Sequence, residues 1–490
     1  MVRAKGFILR SMAVLSLAVG ISTVSTTAHA LVPVVIDEVT PSVGRPGTTT
    51  TFSITGSGFV APMTALVEPD GTIESIEVVS STLVRVAVSF PANARTGTRD
   101  LTLSSLADSD LQTDIIVVRP TVGEYHPLTP ERLLDTRLPG ATKPGPTSVT
   151  LLTVTGVGGV PPTGVSAVVL NVTATEATAA TFVTVYPAGN ERPTASNLNV
   201  VRDQTVPNLV TVAVGAGGQV ALYNHNGAVH LVADVNGWYG ASGSAGGGAF
   251  IPTVPPSRKL DTRDKSTPLG TEGVVSLRIG AGGNTITAAA LNVTVTEPTA
   301  ASYITVYPSG AVRPLASNLN MKAGQTVANM VIARVGPDGF VNFYNHAGSS
   351  HLVVDLLGVF DDASLPVFGG QFEGTVPVRV LDSRQPGDAT GGAPLGEGAT
   401  FVLPVAGRVG VPATASAVVV NVTATEPTAD SYLTVWPSDE VRPTASNLNM
   451  APGDTVPNLA VVPLALDGTM SIYNHGGTSH VIVDVVGWYR

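Results

Sequence analysis

Tyr223-Asn224-His225-Asn226-Gly227-Ala228-Val229-His230-Leu231-Val232-Ala233-Asp234, closed by Gly237-Trp238-Tyr239, is a stretch that the chain uses three times. It returns as Tyr344-Asn345-His346 with His351 and Asp355, and as Tyr473-Asn474-His475 with His480 and Asp484. Six of the eight histidines sit in these copies, so they are placed rather than scattered. Asn226-Gly227 between two alternating runs is a strong hairpin signal, which predicts His225 and His230 on either side of one tight turn. Side chains alternate along a strand, so both imidazoles are expected on one face, with Asp234, an even step beyond His230, on that face too.

The stretch is the fixed end of a longer repeat. Each copy opens on Leu134-Asp135-Thr136-Arg137, Leu260-Asp261-Thr262-Arg263 or Leu381-Asp382-Ser383-Arg384, and continues to Asn-Val-Thr at Asn171, Asn292 and Asn421. From that asparagine to the second histidine the separation is 59 residues in all three copies, whereas the preceding half varies in length. Equal spacing means short or constrained loops. Short apolar and β-branched runs bounded by Pro, Gly and Asn give about eight strands in roughly 115 residues, and the run Val168 to Thr175 is apolar on one parity and increasingly polar on the other. The fold class expected is all-β, with three tandem antiparallel β-sandwich or jelly-roll repeats at 124–239, 250–360 and 371–490. A Gly-rich linker at 240–249 and a second linker at 361–370 separate them.

Composition sets the compartment and excludes several function classes. Charged residues are 13% of the chain and the formal net charge is −10, which argues against nucleic acid as a partner. Residues 1–30 carry a basic start, an apolar run and Ala28-His29-Ala30, the pattern of a secretory signal peptide. No later run reaches the ~20 apolar residues of a membrane span. With no cysteine there is neither a disulfide framework nor a thiolate metal site. A secreted, extracellular bacterial protein, free or cell-wall-associated, is expected.

Residues 31–120 read as a further small β-sandwich, with runs at Val34 to Ile36, Thr51 to Ile54, Ile73 to Val79, Leu83 to Val88 and Ile115 to Val118. Pro41-Ser42-Val43-Gly44, Gly47-Thr48 and Thr55-Gly56-Ser57-Gly58-Phe59 occur in order there, and the segment resembles the IPT/TIG domains, an Ig-like family. That resemblance implies an accessory domain without catalytic residues. The repeats resemble an uncharacterised repeat type of secreted actinobacterial proteins, marked by Leu-Asp-Thr-Arg, Arg-Pro-x-Ala-Ser-Asn-Leu-Asn and Val-Asp-x-x-Gly-Trp-Tyr. The second copy departs from it at Ala328-Asn329 and Gly358-Val359-Phe360.

Two sets of polar residues are candidates for ligand binding. The first is His225, His230 and Asp234, with His346, His351 and Asp355, and His475, His480 and Asp484. Two imidazoles and a carboxylate fit an open zinc site, and equally a set of groups that satisfy one another beside a turn. The second is Asn197 and Asn199, with Asn318 and Asn320, and Asn447 and Asn449. Paired amides on a sheet face suit sugar hydroxyls, or turn backbones. Tyr186, Tyr307 and Trp436 would add a stacking platform where exposed. Asp135 with Glu176 has the composition of a glycosidase pair, although an ion-pair network is the default. The Asn-Val-Thr sequons are read as coincidence. No phosphate loop, dinucleotide fingerprint or nucleophile elbow is present. Every candidate is triplicated, which suits linked binding sites better than one catalytic centre. The expectation is a non-enzymatic, multivalent binding protein directed at cell-wall or extracellular polysaccharide, with no cofactor. The alternatives are a structural or adhesive spacer, and then a metal- or carboxylate-dependent hydrolase.

Overall fold

Short β-branched runs punctuated by Gly and Pro fold here as strands throughout. The computed structural model describes residues 33–40, 43–44, 49–68, 70–90, 97–105, 108–118, 123–241, 247–282, 285–361 and 370–490. The leader at 1–30, the Pro41-Ser42 and Gly47-Thr48 marks, and the middles of both linkers, 242–246 and 362–369, lie outside the described residues. Among the described residues no helix is long and apolar enough to cross a membrane. The chain divides into two compact units, Met1–Pro120 and Thr121–Arg490. The first is a sandwich of two four-stranded sheets. All five strands expected there occur, and its core includes Phe52, Ile54, Val84, Val86 and Leu101.

The second unit holds the three repeats, and each has the eight strands expected. In the first repeat an outer sheet runs in the order Ser148–Thr153, Gln219–Asn224, Thr181–Pro187, Leu198–Val200. An inner sheet runs Val206–Ala213, Val165–Thr175, His230–Ala241, Gly123–Asp135. Every pairing within these sheets is antiparallel. Val168, Leu170, Val172 and Ala174 face the outer sheet and build the repeat's own core with Leu231, Ala233 and Val235. The second and third repeats close equivalent cores.

The other parity of the inner strand explains the polar gradient in its sequence. Ala167 and Val169 enter a fourth core, shared by all three repeats, together with Ala288, Ala290, Ala417 and Val419. At one end of this shared core six aromatic side chains form a ring, two from each repeat. Tyr125 meets Phe360 at 4.6 Å between centroids, Phe250 meets Tyr489 at 4.6 Å, and Phe372 meets Tyr239 at 4.3 Å. The first strand of one repeat thus always meets the last strand of the next, and the third closes on the first. Such ring pairs add about 0.5–1.5 kcal/mol each beyond their burial. The Tyr239 and Tyr489 hydroxyls hydrogen-bond at 2.6 Å, and burial raises both phenols above their ordinary pKa. Gly237, Gly358 and Gly487 recur because Tyr125, Phe250 and Phe372 lie against them. A Cβ at each would meet the ring at 2.4–2.5 Å.

Three isolated bridges repeat the same cycle in the backbone: Gly123 with Phe372, Tyr125 with Gly248, and Phe250 with Gly370. The ends of the expected linkers are therefore tied down: around the first, one strand runs as far as Ala241 and the next begins at Ala249. The repeats are one unit rather than a string of separate domains.

Further along the axis the shared face becomes polar. Asn171 donates to the Ser317 carbonyl of the second repeat at 2.8 Å, Asn292 to Ser446 of the third at 2.7 Å, and Asn421 back to Ser196 of the first at 2.9 Å. Asn208, Asn329 and Asn458 donate in the opposite sense to Asn421, Asn171 and Asn292 at 3.0, 3.3 and 3.4 Å. Their carbonyl oxygens accept the backbone N–H of Leu459, Leu209 and Met330. The sequon asparagines are thus buried, with their amides engaged.

Removing one amide strands its partners in a dry interface, at a cost of about 1–3 kcal/mol. Asn421→Ala should lower the urea midpoint accordingly, and residues 123–490 should still unfold in a single transition. A normal midpoint, or three separate transitions, would contradict the shared interface.

Candidate functional site

The triplicated histidine stretch does not form a hairpin. Gln219–Asn224 belongs to the outer sheet and His230–Ala241 to the inner sheet, so Asn226-Gly227 is a corner between layers. Gly227 has φ 53°, and a Cβ there would meet Ala179 and Thr178 at 2.9 Å. Asn224 fastens the corner from beneath: its amide donates to the carbonyls of Gly145 and Gly227 at 2.8 and 2.9 Å, and Thr181 donates to its oxygen at 2.8 Å. Asn345 and Asn474 do the same. Turn chemistry was legible in the sequence, but the hydrophobic demand for two layers overrides a two-residue hairpin.

The two histidines consequently part. His225 is exposed and stacks on Phe182 at 4.4 Å between centroids, as His346 does on Tyr303 and His475 on Tyr432. His230 is half-buried on the inner sheet, with Nδ1 3.0 Å from the Thr136 hydroxyl, a contact repeated at His351 with Thr262 and His480 with Ser383. Asp234 does share a face with His230, but it is engaged by arginine. Among the described residues no group of three His, Cys, Asp or Glu side chains converges as a metal site. The zinc arrangement of His225, His230 and Asp234, and of its two copies, is thereby corrected. Added zinc should leave the melting temperature unchanged, and a rise of several degrees would reverse that conclusion.

Arg132, which the sequence reading passed over, organises this inner face. Its Nε donates to Asp234 at 2.8 Å, Nη1 to Asp135 at 3.1 Å, and Nη2 reaches the Leu315 carbonyl of the next repeat at 3.4 Å. Arg258 and Arg379 repeat this toward Thr444 and Thr194, closing another cycle. The signal was an arginine three residues before each Leu-Asp-x-Arg aspartate. Burial raises the Asp234, Asp355 and Asp484 carboxyls despite their arginines. The Arg137 side-chain hydrogen bond holds Asp135 down at about 2, and Arg263 does so for Asp261. Glu176 stands 3.9 Å from His230, and Asp135 is taken up by Arg132 and Arg137, the ion-pair network expected as the default.

For the depressed pair, folded-state proton affinity lies below the ordinary 3.8. Their stabilisation is complete above that value and is lost as pH falls through about 2. The raised aspartates act in the opposite sense. The urea midpoint of Asp135→Asn should therefore be lower than wild type at neutral pH but decline less steeply between about pH 4 and pH 2. Parallel curves for the two proteins would refute the assignment.

The asparagine pairs also separate in role. Asn197, Asn318 and Asn447 are buried and accept the backbone N–H of Val185, Val306 and Val435 at 2.7, 2.7 and 2.9 Å. They are scaffold. Tyr186, Tyr307 and Trp436 are buried as well, so they offer no stacking platform. Asn199, Asn320 and Asn449 are half-buried, and each is tied at one end of its amide to a serine three residues earlier.

These three amides line one cavity of about 990 Å³, to which all three repeats contribute. Thr205, Thr326 and Thr455 line it with them, as do Gln204, Gln325 and Asp454. Asn199 is the cross-strand partner of Phe182, and Phe182 stacks on His225. Each amide therefore heads a row of amide, aromatic ring and imidazole across its outer sheet, with Asn320-Tyr303-His346 and Asn449-Tyr432-His475 as the copies. In the third repeat the whole row, Asn449, Tyr432 and His475, belongs to the cavity wall.

No family model matches the chain, and no curated protein matches it. Among solved structures the chain is similar to the triple jelly roll of an archaeal virus turret, at 12% identity over 75% of this chain and 89% of that one, with TM-score 0.17. It is also similar to a Bacteroides ovatus protein of a mixed-linkage glucan utilization locus, SGBP-B, in complex with a mixed-linkage heptasaccharide. That match has 12% identity, covers 94% and 98% of the two chains, and has TM-score 0.14. A third structure, with a xylogluco-oligosaccharide, matches at 10% identity over 94% and 99%, with TM-score 0.15. With scores this low, function rests on the chain's own geometry.

Proposed function

We propose that the protein is a non-enzymatic binding protein for an extracellular or cell-wall polysaccharide, which it holds at the cavity between its three repeats. The observation that carries this reading is the convergence of Asn199, Asn320 and Asn449 with three threonine hydroxyls on one cavity, each amide continuing into a ring-stacked row. An amide presents donors and an acceptor together, which matches vicinal sugar hydroxyls, and a flat ring beside it matches the apolar face of a pyranose. The volume of about 990 Å³ lies at the upper end of small-ligand cavities and accommodates a short oligosaccharide segment. Binding rather than hydrolysis is favoured because Asp135, Asp261 and Asp382 are committed to arginine and Asp234, Asp355 and Asp484 are buried beneath it.

Triplication then serves one composite site with three radiating rows, and multivalency arises along a polymer that engages more than one row. Affinity electrophoresis of the full chain in gels containing soluble polysaccharides, with pull-down on peptidoglycan and insoluble glycans, tests the reading. Retardation or retention by at least one glycan is expected. Asn320→Ala combined with Tyr303→Ala should weaken it by about tenfold, the equivalent of ~1.4 kcal/mol. Absence of interaction with every glycan would favour the spacer reading instead.

A further inference from the structure

We infer that Arg192, Arg313 and Arg442 are three equivalent stations for the carboxylate groups of an acidic polysaccharide. The inference rests on the glycan reading above and names the class of glycan. Each arginine is exposed and lies over a tyrosine of its own outer sheet: Cζ is 4.3 Å from the Tyr223 ring centroid, 3.6 Å from Tyr344 and 3.7 Å from Tyr473. The separation in sequence is 31 residues in every copy.

Stacking occupies the face of a guanidinium and leaves the N–H donors, which lie in its plane, directed outward. Among the described residues no carboxylate takes them. Arg132, Arg137, Arg258, Arg263, Arg379 and Arg384 are all ion-paired, whereas Arg192, Arg313 and Arg442 have neither an ion pair nor a hydrogen-bonded acceptor among the described residues. These three are local cations in a chain whose net charge of −10 opposes long-range attraction of a polyanion, so recognition rests on the fork geometry at close range.

The stations are held rigidly. Each arginine precedes a proline, which restricts its backbone. The loop behind it is pinned where Thr184, Thr305 and Thr434 donate to the carbonyls of Ala195, Ala316 and Ala445 at 2.7–2.8 Å. The same tyrosine adjoins the imidazole of the ring-stacked row, with hydroxyl to Nδ1 at 3.4 Å for Tyr223 with His225 and Tyr473 with His475. Guanidinium, tyrosine, imidazole, second aromatic ring and amide therefore follow one another across the outer sheet to the cavity-lining asparagine.

A planar fork with two free parallel donors matches a carboxylate in bidentate fashion. A polysaccharide bearing a carboxylate on each sugar supplies both the anion for the fork and the hydroxylated ring for the adjoining row. Engagement of more than one station raises the apparent affinity by effective concentration.

The test uses the full chain in affinity electrophoresis and titration against polygalacturonate, with dextran as the neutral probe and dextran sulfate as the non-carboxylate polyanion. Polygalacturonate is expected to bind. The triple variant R192Q/R313Q/R442Q should lose about a hundredfold in apparent affinity for it, with a normal melting temperature. The triple lysine variant, which keeps the charge and loses the fork, should fail to restore binding. Binding of a neutral glycan with no binding of polygalacturonate would overturn the inference and leave the glycan reading intact. So would rescue by lysine, a triple glutamine variant that binds normally, or equal binding of dextran sulfate. No binding to any glycan would overturn both.

Discussion

The structure of residues 123–490 depends on a closed circuit of asparagine amides. Each inner sheet places one asparagine at mid-strand, Asn171, Asn292 or Asn421, where its own core is not reached and water is excluded. A buried amide left alone is costly, and here its acceptors belong to the next repeat. The reverse set, Asn208, Asn329 and Asn458, returns the contact, so no repeat satisfies its inner face by itself. This accounts for the length-invariant half of the repeat. Asn171 pairs with Asp234 and Thr175 with His230 in the same ladder, so an insertion between Asn171 and His230 would have to be absorbed without shifting that register.

The circuit divides the axis into an apolar and a polar end. On the side of Ala167, whose ladder partner is Tyr239, six aromatic rings pack around the axis and the three glycines of the closing motif make room for them. Toward Thr175, the strand face carries hydroxyls and meets Thr205. An apolar lock at one end allows the polar groups at the other to stay open around a cavity, since they are not needed to hold the repeats together. The proposed binding cavity and the stabilising lock are thus separated along one axis. The arginine cycle of Arg132, Arg258 and Arg379 reinforces the join at the edge, with two aspartates on each guanidinium and a carbonyl of the neighbour beyond.

The histidine stretch takes on a different meaning in this setting. Its residues are divided between the layers: Asn224 fastens the corner, His230 bonds Thr136 within its own repeat, Asp234 holds the arginine that reaches the neighbouring repeat, and His225 is presented to solvent. A repeated motif with three polar residue types resembles a ligand set in sequence because spacing carries no information about which sheet a strand will join. The same holds for Asn197 and Asn199. Two residues apart, they part because Asn197 lies in the bend before the Leu198–Val200 strand and turns its oxygen to the Val185 N–H, whereas Asn199 lies on the strand and at the cavity.

Period-two alternation, turn residues and internal repetition determined by themselves that the chain is all-β, that each repeat carries about eight strands, and that one parity of Val168 to Thr175 is apolar. These are local properties, set by the pleat and by where the backbone can turn. The polar drift on the opposite parity was visible too, and so were the recurrent Arg-Pro and Arg-x-Leu-Asp arginines, but not their partners. Only tertiary structure decided that the repeats close on one another, that buried asparagines are shared between them, and that Asn199, Asn320 and Asn449 meet at one cavity although more than 100 residues separate each from the next. Those facts follow from contacts between distant segments, whose partners are chosen by the burial of complementary faces and leave no periodic mark in the sequence.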